Sequence, residues 1–303
     1  MTLRFRAPAT SANLGPGFDS FGLALTLYNH FAFTLAERDA VVVSDASTVN
    51  TKGLSVAPQD NLAFQALDRL YAEWGRSRPP VTLEITAHIP LARGLGSSST
   101  AIVAALAAGL ELSGESASRC DLLRLASELE GHPDNVAPAL LGGVTLCDGS
   151  AGRMRCYSLP WPDEWGLMAI APSDRLLTED GRQALPESYS REDAVFNLRK
   201  SSVFVYSLMR ADPEAFADSL SDRLHQPYRG PLIRDFEPVR ALARQAGAFG
   251  VVISGSGSSL LAFYPKNAES ALTAALQAYQ RDRGENLRIL PLGLDTEGVQ
   301  REI

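Results

Sequence analysis

The segment with the clearest chemical potential is Pro90-Leu-Ala-Arg-Gly-Leu-Gly-Ser-Ser-Ser99, which runs from an alternating strand pattern into an apolar helical one. Gly94 and Gly96 let the backbone take positive φ and come close to a ligand. The helix opening at Ser97 to Ser99 presents unpaired N–H groups and the positive end of its dipole. Three consecutive hydroxyls there can cap the helix, bind phosphate oxygens or reach a metal. Pro90, Leu91, Ala92, Arg93, Gly94, Leu95, Gly96, Ser97, Ser98, Ser99 and Thr100 thus form a phosphate cradle in outline; an ordinary strand-to-helix turn with a serine cap remains the alternative. It is not a Walker A loop, since no Gly-Lys-Ser/Thr occurs, nor a Rossmann fingerprint, since position 99 is not glycine. The lysines Lys52, Lys200 and Lys266 are all distant in sequence. Bound phosphate would therefore be held mostly by amides, hydroxyls and Mg2+.

The surrounding elements are legible to different degrees. Before the loop, Val81, Leu83, Ile85, Ala87 and Ile89 alternate with Thr82, Glu84, Thr86 and His88, a half-buried strand. After it, residues 98–112 read as a helix apolar nearly all round. Helices are expected at 61–74, 121–130 (broken at Gly131-His132-Pro133), 192–210, 213–224, 238–246 and 268–281. Strands are expected at 2–7, 25–35, 166–171, 249–253, 260–263 and 287–290. This α+β pattern and a length of 303 residues suggest two domains, 1–155 and 156–303, divided in the polar stretch 148–158.

Composition excludes other classes. A net charge of −7 argues against a nucleic-acid binder. No apolar run is long enough to span a membrane or act as a signal peptide, so a soluble cytoplasmic chain is expected. Cys120, Cys147 and Cys156 lack zinc-site spacing and read as reduced thiols. No G-x-S-x-G elbow occurs, and neither His132 nor His88 has an obvious nucleophile-and-acid setting, which sets a hydrolase aside.

Four ordered segments together resemble the GHMP kinases, and among them the homoserine kinase family. Residues 90–98 match the signature Pro-x-x-x-Gly-Leu-Gly-Ser-Ser. Pro8-Ala-Thr-Ser-Ala-Asn-Leu-Gly-Pro-Gly-Phe-Asp-Ser20 resembles the first motif in its homoserine kinase version, where relatives acting on mevalonate or sugars differ. Ser254-Gly-Ser-Gly-Ser-Ser259 resembles the third motif, a turn that packs beside the phosphate loop, and Glu130-Gly-His-Pro-Asp-Asn-Val-Ala-Pro-Ala139 with Gly142-Gly143 is a fourth likeness. The resemblance spans residues 4 to about 263. It implies a two-domain GHMP kinase architecture, with an N-terminal ribosomal-protein-S5-domain-2-like α/β domain and a C-terminal ferredoxin-like α+β domain. The implied activity is transfer of the ATP γ-phosphate to the hydroxyl of L-homoserine, giving O-phospho-L-homoserine for threonine synthesis. Similar enzymes are often dimers, so a homodimer stays open.

The same resemblance assigns roles. Ser98 and Glu130 would hold Mg2+, a hard cation that takes few protein oxygens beside phosphates; Glu128 competes with Glu130. Asn61 resembles the family's adenine-contacting asparagine, or is a plain helix cap. For an acceptor with an ammonium, a carboxylate and a hydroxyl, Asp19 suits the ammonium, and Arg182 (with Thr178) and Arg229 suit the carboxylate through bidentate pairing. Asn13 and Asn135 would bind the amino acid and its reactive hydroxyl. Without the family, the arginines read as surface residues, and Asn13 and Asp19 as turn formers. Several GHMP kinases carry aspartate at position 135; Asn135 cannot act as a base, so catalysis by Asn135, Ser98 and Glu130 would rest on positioning and charge neutralisation. Ser99 stands where alanine is frequent. The rivals are a GHMP kinase with another small hydroxylated acceptor and a catalytically dead binding protein on the same fold.

Overall fold

The structure is a computed structural model that describes residues 1–149, 154–174, 176, 178–284 and 287–302. In chain order, β1 (Thr2–Ala12), β2 (Phe21–Leu35) and β3 (Ala40–Val43) precede α1 (Leu62–Glu73) and β4 (Val81–Thr86). Next come α2 (Ser97–Ser113), α3 (Arg119–Glu130), α4 (Pro133–Leu141), β5 (Val144–Asp148) and β6 (Arg155–Leu159). The remainder comprises β7 (Trp165–Ala171), α5 (Thr178–Gln183), α6 (Arg191–Arg210), α7 (Pro213–Ser219), α8 (Gln226–Arg229) and α9 (Phe236–Gln245). It closes with β8 (Gly250–Ile253), β9 (Leu260–Pro265), α10 (Glu269–Arg283), β10 (Arg288–Leu292) and β11 (Gln300–Glu302). The mixed composition is the expected α+β class.

Two sheets organise these elements. The first has seven strands in the order β11-β1-β2-β4-β3, with β5 added to β2 and β6 to β5; all pairs are antiparallel except β3 with β4. Fifteen residues long, β2 pairs β1 along one edge and two strands along the other, β4 through His30–Leu35 and β5 through Phe21–Leu23. The β1–β2 register shifts between Pro8 and Ala9, where proline offers no N–H to the ladder. The second sheet is antiparallel, β10-β7-β9-β8.

Burial follows the strand period. Every residue of β7 is buried. Trp165, Leu167, Ala169 and Ala171 face a core shared with Phe204 and Phe216 of the helices and with Ala9, Phe21, Leu23 and Leu25 of the first sheet. Met168 and Ile170 face the opposite core, under Val239 of α9 and Leu272 and Leu276 of α10. Such alternation into two apolar layers is what a strand covered on both faces requires. The shared core also welds the two halves together. In the first half, α2 is apolar all round because α1, α3, α4 and β1 surround it.

The polar stretch at 148–158, where the sequence suggests a division, joins β5 to β6, and residues 150–153 lie outside the described residues. Strand β6 still belongs to the first sheet, and β11 returns to it from the C-terminal end. No described helix is long and apolar enough to cross a membrane.

Candidate active site

The glycine-rich loop lies between the two halves. At Gly94 (φ +72°) an added Cβ would sit 2.0 Å from the Ser254 carbonyl oxygen; at Gly96 (φ +64°) it would sit 1.9 Å from Thr10 Oγ1. Both positions therefore combine a left-handed backbone with no room for a side chain. Gly96 is the N-cap of α2 and supplies no capping side chain, so the first amides of the helix stay open to a ligand. The turn at 254–259 braces the loop, as the third motif implies: Ser254 Oγ donates to the Gly94 carbonyl at 2.6 Å, and the Ser259 amide donates to the Arg93 carbonyl at 3.0 Å. The Arg93 side chain points away, donating to the carbonyls of Pro172 (2.8 Å) and Ser173 (2.5 Å) in the second half.

Residues 90–98 line a cavity of about 460 Å³. Ser99 and Thr100 are fully buried beneath it, outside its lining. Ser98 Oγ donates to Glu130 Oε1 at 2.7 Å and Ser99 Oγ to the same oxygen at 3.2 Å, while Thr100 Oγ1 donates to the Ser97 carbonyl at 2.7 Å. Glu128 is otherwise engaged: Arg124 (2.7 Å) and Arg69 (3.0 Å) bind its carboxylate and, Arg124 first, hold its pKa below the usual range. Among the described residues no group of three or more His, Cys, Asp or Glu could hold a metal. A hydroxyl beside one carboxylate is instead the sparse oxygen set that suits Mg2+ shared with phosphates, so Ser98 and Glu130 fit that ion.

One end of the cavity is largely apolar, walled by Phe31, Leu54, Ile85, Ala87, Leu91 and Ala101, which suits a flat ring. Asn61 lines this end with both side-chain groups used: Oδ1 accepts from the Ala63 amide at 3.0 Å as the N-cap of α1, and Nδ2 donates to the Ser55 carbonyl at 2.8 Å. Lys52, distant in sequence, lines the same cavity.

The other end is charged. Asp19 and Arg182 form an ion pair at 3.1 Å, each about 40% exposed. Asn13 and Asp19 both take positive φ. Asn13 also ties the loop together, donating to the Gly255 carbonyl at 2.9 Å and accepting from the Asp19 amide at 3.1 Å. Arg229 is buried, with Nε on the Gly181 carbonyl (3.0 Å) and Nη1 on the Gly255 carbonyl (3.1 Å). Burial, then the like charge of Arg182, lower its pKa against the pull of Asp19, Asp134 and Asp222. Thr178 opens α5, but its side chain lies outside the described residues.

Asn135 also lines the cavity from the first turn of α4, its Oδ1 accepting from Thr10 Oγ1 at 2.8 Å. Beside it, His132 Nδ1 meets Asp134 Oδ1 at 2.7 Å. Burial opposes charge on His132, but the hydrogen bond and charge of Asp134, with Glu130 nearby, outweigh it and raise its pKa. His132 thus has the acid partner that the sequence left unseen, while the loop hydroxyls of Ser98 and Ser99 donate to Glu130.

Sequence reasoning missed Thr10, Asn29, Lys52 and Asp134 as site residues. Asn29, buried in β2, carries a readable signal: an asparagine inside the apolar run FGLALTLYNHFAFTL must be hydrogen-bonded.

Residues 61–143 match the model of the GHMP kinases N terminal domain, and residues 204–282 that of GHMP kinases C terminal. The chain is 43% identical over 304 residues to a homoserine kinase of Synechococcus sp., covering 100% of this chain and 98% of that one. It is 41% identical over 296 residues to a homoserine kinase of Microchaete diplosiphon, covering 96% and 94%. The crystal structure of homoserine kinase from Cytophaga hutchinsonii superposes with a TM-score of 0.89 at 28% identity, covering 99% and 97%.

Proposed function

Because the chain belongs to the GHMP kinases, and within them to the homoserine kinases, we infer that it transfers the γ-phosphate of ATP to the hydroxyl of L-homoserine. The product is O-phospho-L-homoserine, on the way to L-threonine. The observation that carries this reading is one cavity lined by an apolar group of side chains, by the glycine-rich loop at the open start of α2 and by the Asp19–Arg182 pair.

The adenine is assigned to the slot between Phe31 and Leu54, and the triphosphate to the amides of residues 94–98, where the helix dipole favours negative charge. Mg2+ would be held by Ser98 and Glu130, and when bound it neutralises charge on the phosphates. Asp19 and Arg182 already satisfy each other, so an amino acid entering between them exchanges one ion pair for two: its ammonium meets Asp19 and its carboxylate meets Arg182, with Arg229 behind. Such a swap favours a zwitterion over a neutral sugar or an anionic acid lacking the amine.

Asn135 orients the acceptor hydroxyl and does not take its proton. The neighbouring carboxylate of Asp134 is already engaged by His132 at 2.7 Å. The proton leaves to a phosphate oxygen or to water, and the rate comes from alignment and electrostatics. An Asn135→Asp variant is expected to gain no rate; a faster enzyme with a new acidic limb in its pH profile would contradict this. We place the division between the N-terminal and C-terminal halves at the β5–β6 hairpin, near residue 155, so that the acceptor's partners come from both: Asn13, Asp19 and Asn135 from the first, Arg182 and Arg229 from the second. The test of the reading is ADP release with homoserine, mevalonate and galactose as acceptors; turnover with either of the latter in preference to homoserine would overturn it.

A further inference from the structure

His225 belongs to none of the roles assigned above, yet its side chain is fully buried directly behind the acceptor end of the cavity. Its Nε2 lies 2.8 Å from the carbonyl oxygen of Gly15, in the loop that carries Asn13 and Asp19. A carbonyl can only accept, so Nε2 bears the hydrogen. In the neutral ring Nδ1 is then a lone pair, and it faces Arg229 Nη1 at 3.5 Å. The ring also stacks on Phe18 of the same loop, with centroids 5.6 Å apart and planes 23° apart, and the Arg229 guanidinium lies 5.3 Å from the Phe18 centroid. Phe18, His225 and Arg229 therefore form one packed unit joining the loop to the carboxylate clamp.

We propose that His225 is the positioning residue of the acceptor site, its imidazole fixing the Gly15 carbonyl with one nitrogen and presenting a lone pair to Arg229 with the other. Protonation would put an N–H against the guanidinium, and the surroundings resist it. Burial pushes the imidazole pKa below its ordinary value and Arg229 acts in the same direction, against the Asp222 carboxylate 3.6 Å from Nε2. Asp222 is itself occupied by the amides of Leu224, His225 and Gln226 and by Asn197 Nδ2. The next carbonyl of the loop, that of Pro16, is gripped by Asn197 (3.1 Å) and Ser201 (2.8 Å) of α6. The loop backbone is thus pinned at two successive carbonyls, and His225 is the pin that also touches a clamp residue. No other side chain combines a flat ring for Phe18, a donor on one edge and an acceptor on the other in the absence of charge.

The inference rests on the reading of Asp19, Arg182 and Arg229 as the acceptor's partners. It is tested by steady-state kinetics of the full chain with homoserine and ATP varied separately, for wild type, His225→Gln, His225→Asn and His225→Ala, with thermal unfolding of each. The Gln amide can reach the Gly15 carbonyl but loses the lone pair toward Arg229, and the Asn oxygen can face Arg229 but loses Gly15. Each is expected to raise the homoserine KM about two- to tenfold, the scale of one hydrogen bond. His225→Ala should raise it by about the product of the two, and all three should leave the ATP KM within about twofold. Joint rises in both KM values, or an unchanged homoserine KM in a folded alanine variant, would overturn the proposal. Should alanine fail to fold, the Gln and Asn variants carry the same test. A wild type that does not turn over homoserine would instead refute the acceptor assignment, and the positioning role with it.

Discussion

Asn29→Ala probes how the phosphate loop is held. Asn29 is 2% exposed and uses all four of its hydrogen-bonding positions. Oδ1 accepts from the His88 amide (2.9 Å) and the Ile89 amide (3.0 Å), and Nδ2 donates to Ser97 Oγ (3.2 Å) and Thr100 Oγ1 (3.1 Å). One side chain thereby clamps the last residues before the loop to the first turn of the helix after it. Alanine leaves the Ile89 amide, in a fully buried residue, without its partner, while the more exposed His88 amide can find water. One orphaned buried donor and two longer neutral bonds sum to about 2 to 4 kcal/mol of lost stability. Asn29→Asp adds a functional readout: it keeps both acceptors but buries a charge with no cation beside it, so it should cost several kcal/mol of stability, and in the folded fraction the negative charge beside the triphosphate should raise the ATP KM about tenfold or more. The assays are equilibrium urea denaturation and ATP-dependence of turnover. An alanine variant within about 0.5 kcal/mol of wild type, or an aspartate variant with the wild-type ATP KM, would refute this account of the loop.

Ser98→Ala and Glu130→Gln should each depress turnover and raise the magnesium concentration needed for half-maximal rate, read in a magnesium titration; an unchanged requirement removes the pair from the metal. Arg182→Ala should raise the homoserine KM about tenfold or more with kcat less affected, because one charged contact to the acceptor is lost. An unchanged KM would take Arg182 out of the site. The depressed pKa of buried His225 predicts acid sensitivity: below the ordinary value of about 6.5 the unfolded chain binds a proton that the folded chain refuses, so stability is lost as pH falls, by up to about 1.4 kcal/mol per unit. His132, with its pKa raised, works in the other window, losing its contribution as pH rises through the folded-state value. Urea midpoints at pH 7.5 and 5.5 test the first effect, which His225→Gln should remove.

The parts of the molecule legible in the sequence are those whose neighbours imprint a period. In β4, Val81, Leu83 and Ile85 are buried in alternation, and α2 reads as apolar all round because elements pack on every side of it. Where structure depends on distant pairing, no local imprint exists. Three-residue β11 is a strand through its ladder to β1, and β5 and β6 are five residues each. The break read at Gly131-His132-Pro133 does end α3 at Glu130, but no helix is expected after it, and Pro133 opens α4, at a position that needs no N–H and accepts its fixed φ. The helix expected to run to residue 224 stops at Ser219, and the Asp222 carboxylate gathers the amides of the following turn.

The site shows the same division. The glycines and hydroxyls of the loop announce themselves by type and spacing, whereas Glu130 is marked by the family resemblance alone, with Glu128 competing until the structure gives Glu128 to Arg124 and Arg69. Asn61 looks like a ligand or a cap, and its type cannot say which; the structure uses both ends of its amide on the protein. Lys52 and His225 reach the cavity region through tertiary folding alone. Asp19 and Arg182 enter the sequence reading through the resemblance as separate partners of the acceptor, and only the fold brings these distant residues into an ion pair at 3.1 Å.

The most direct test of phosphoryl transfer to homoserine is phosphorus NMR of the purified chain with ATP, magnesium and L-homoserine. The account predicts a phosphate-monoester resonance coupled to the protons of the acceptor's terminal methylene, growing in step with ADP. ADP accompanied by inorganic phosphate alone, or no change in the ATP signals, would contradict it.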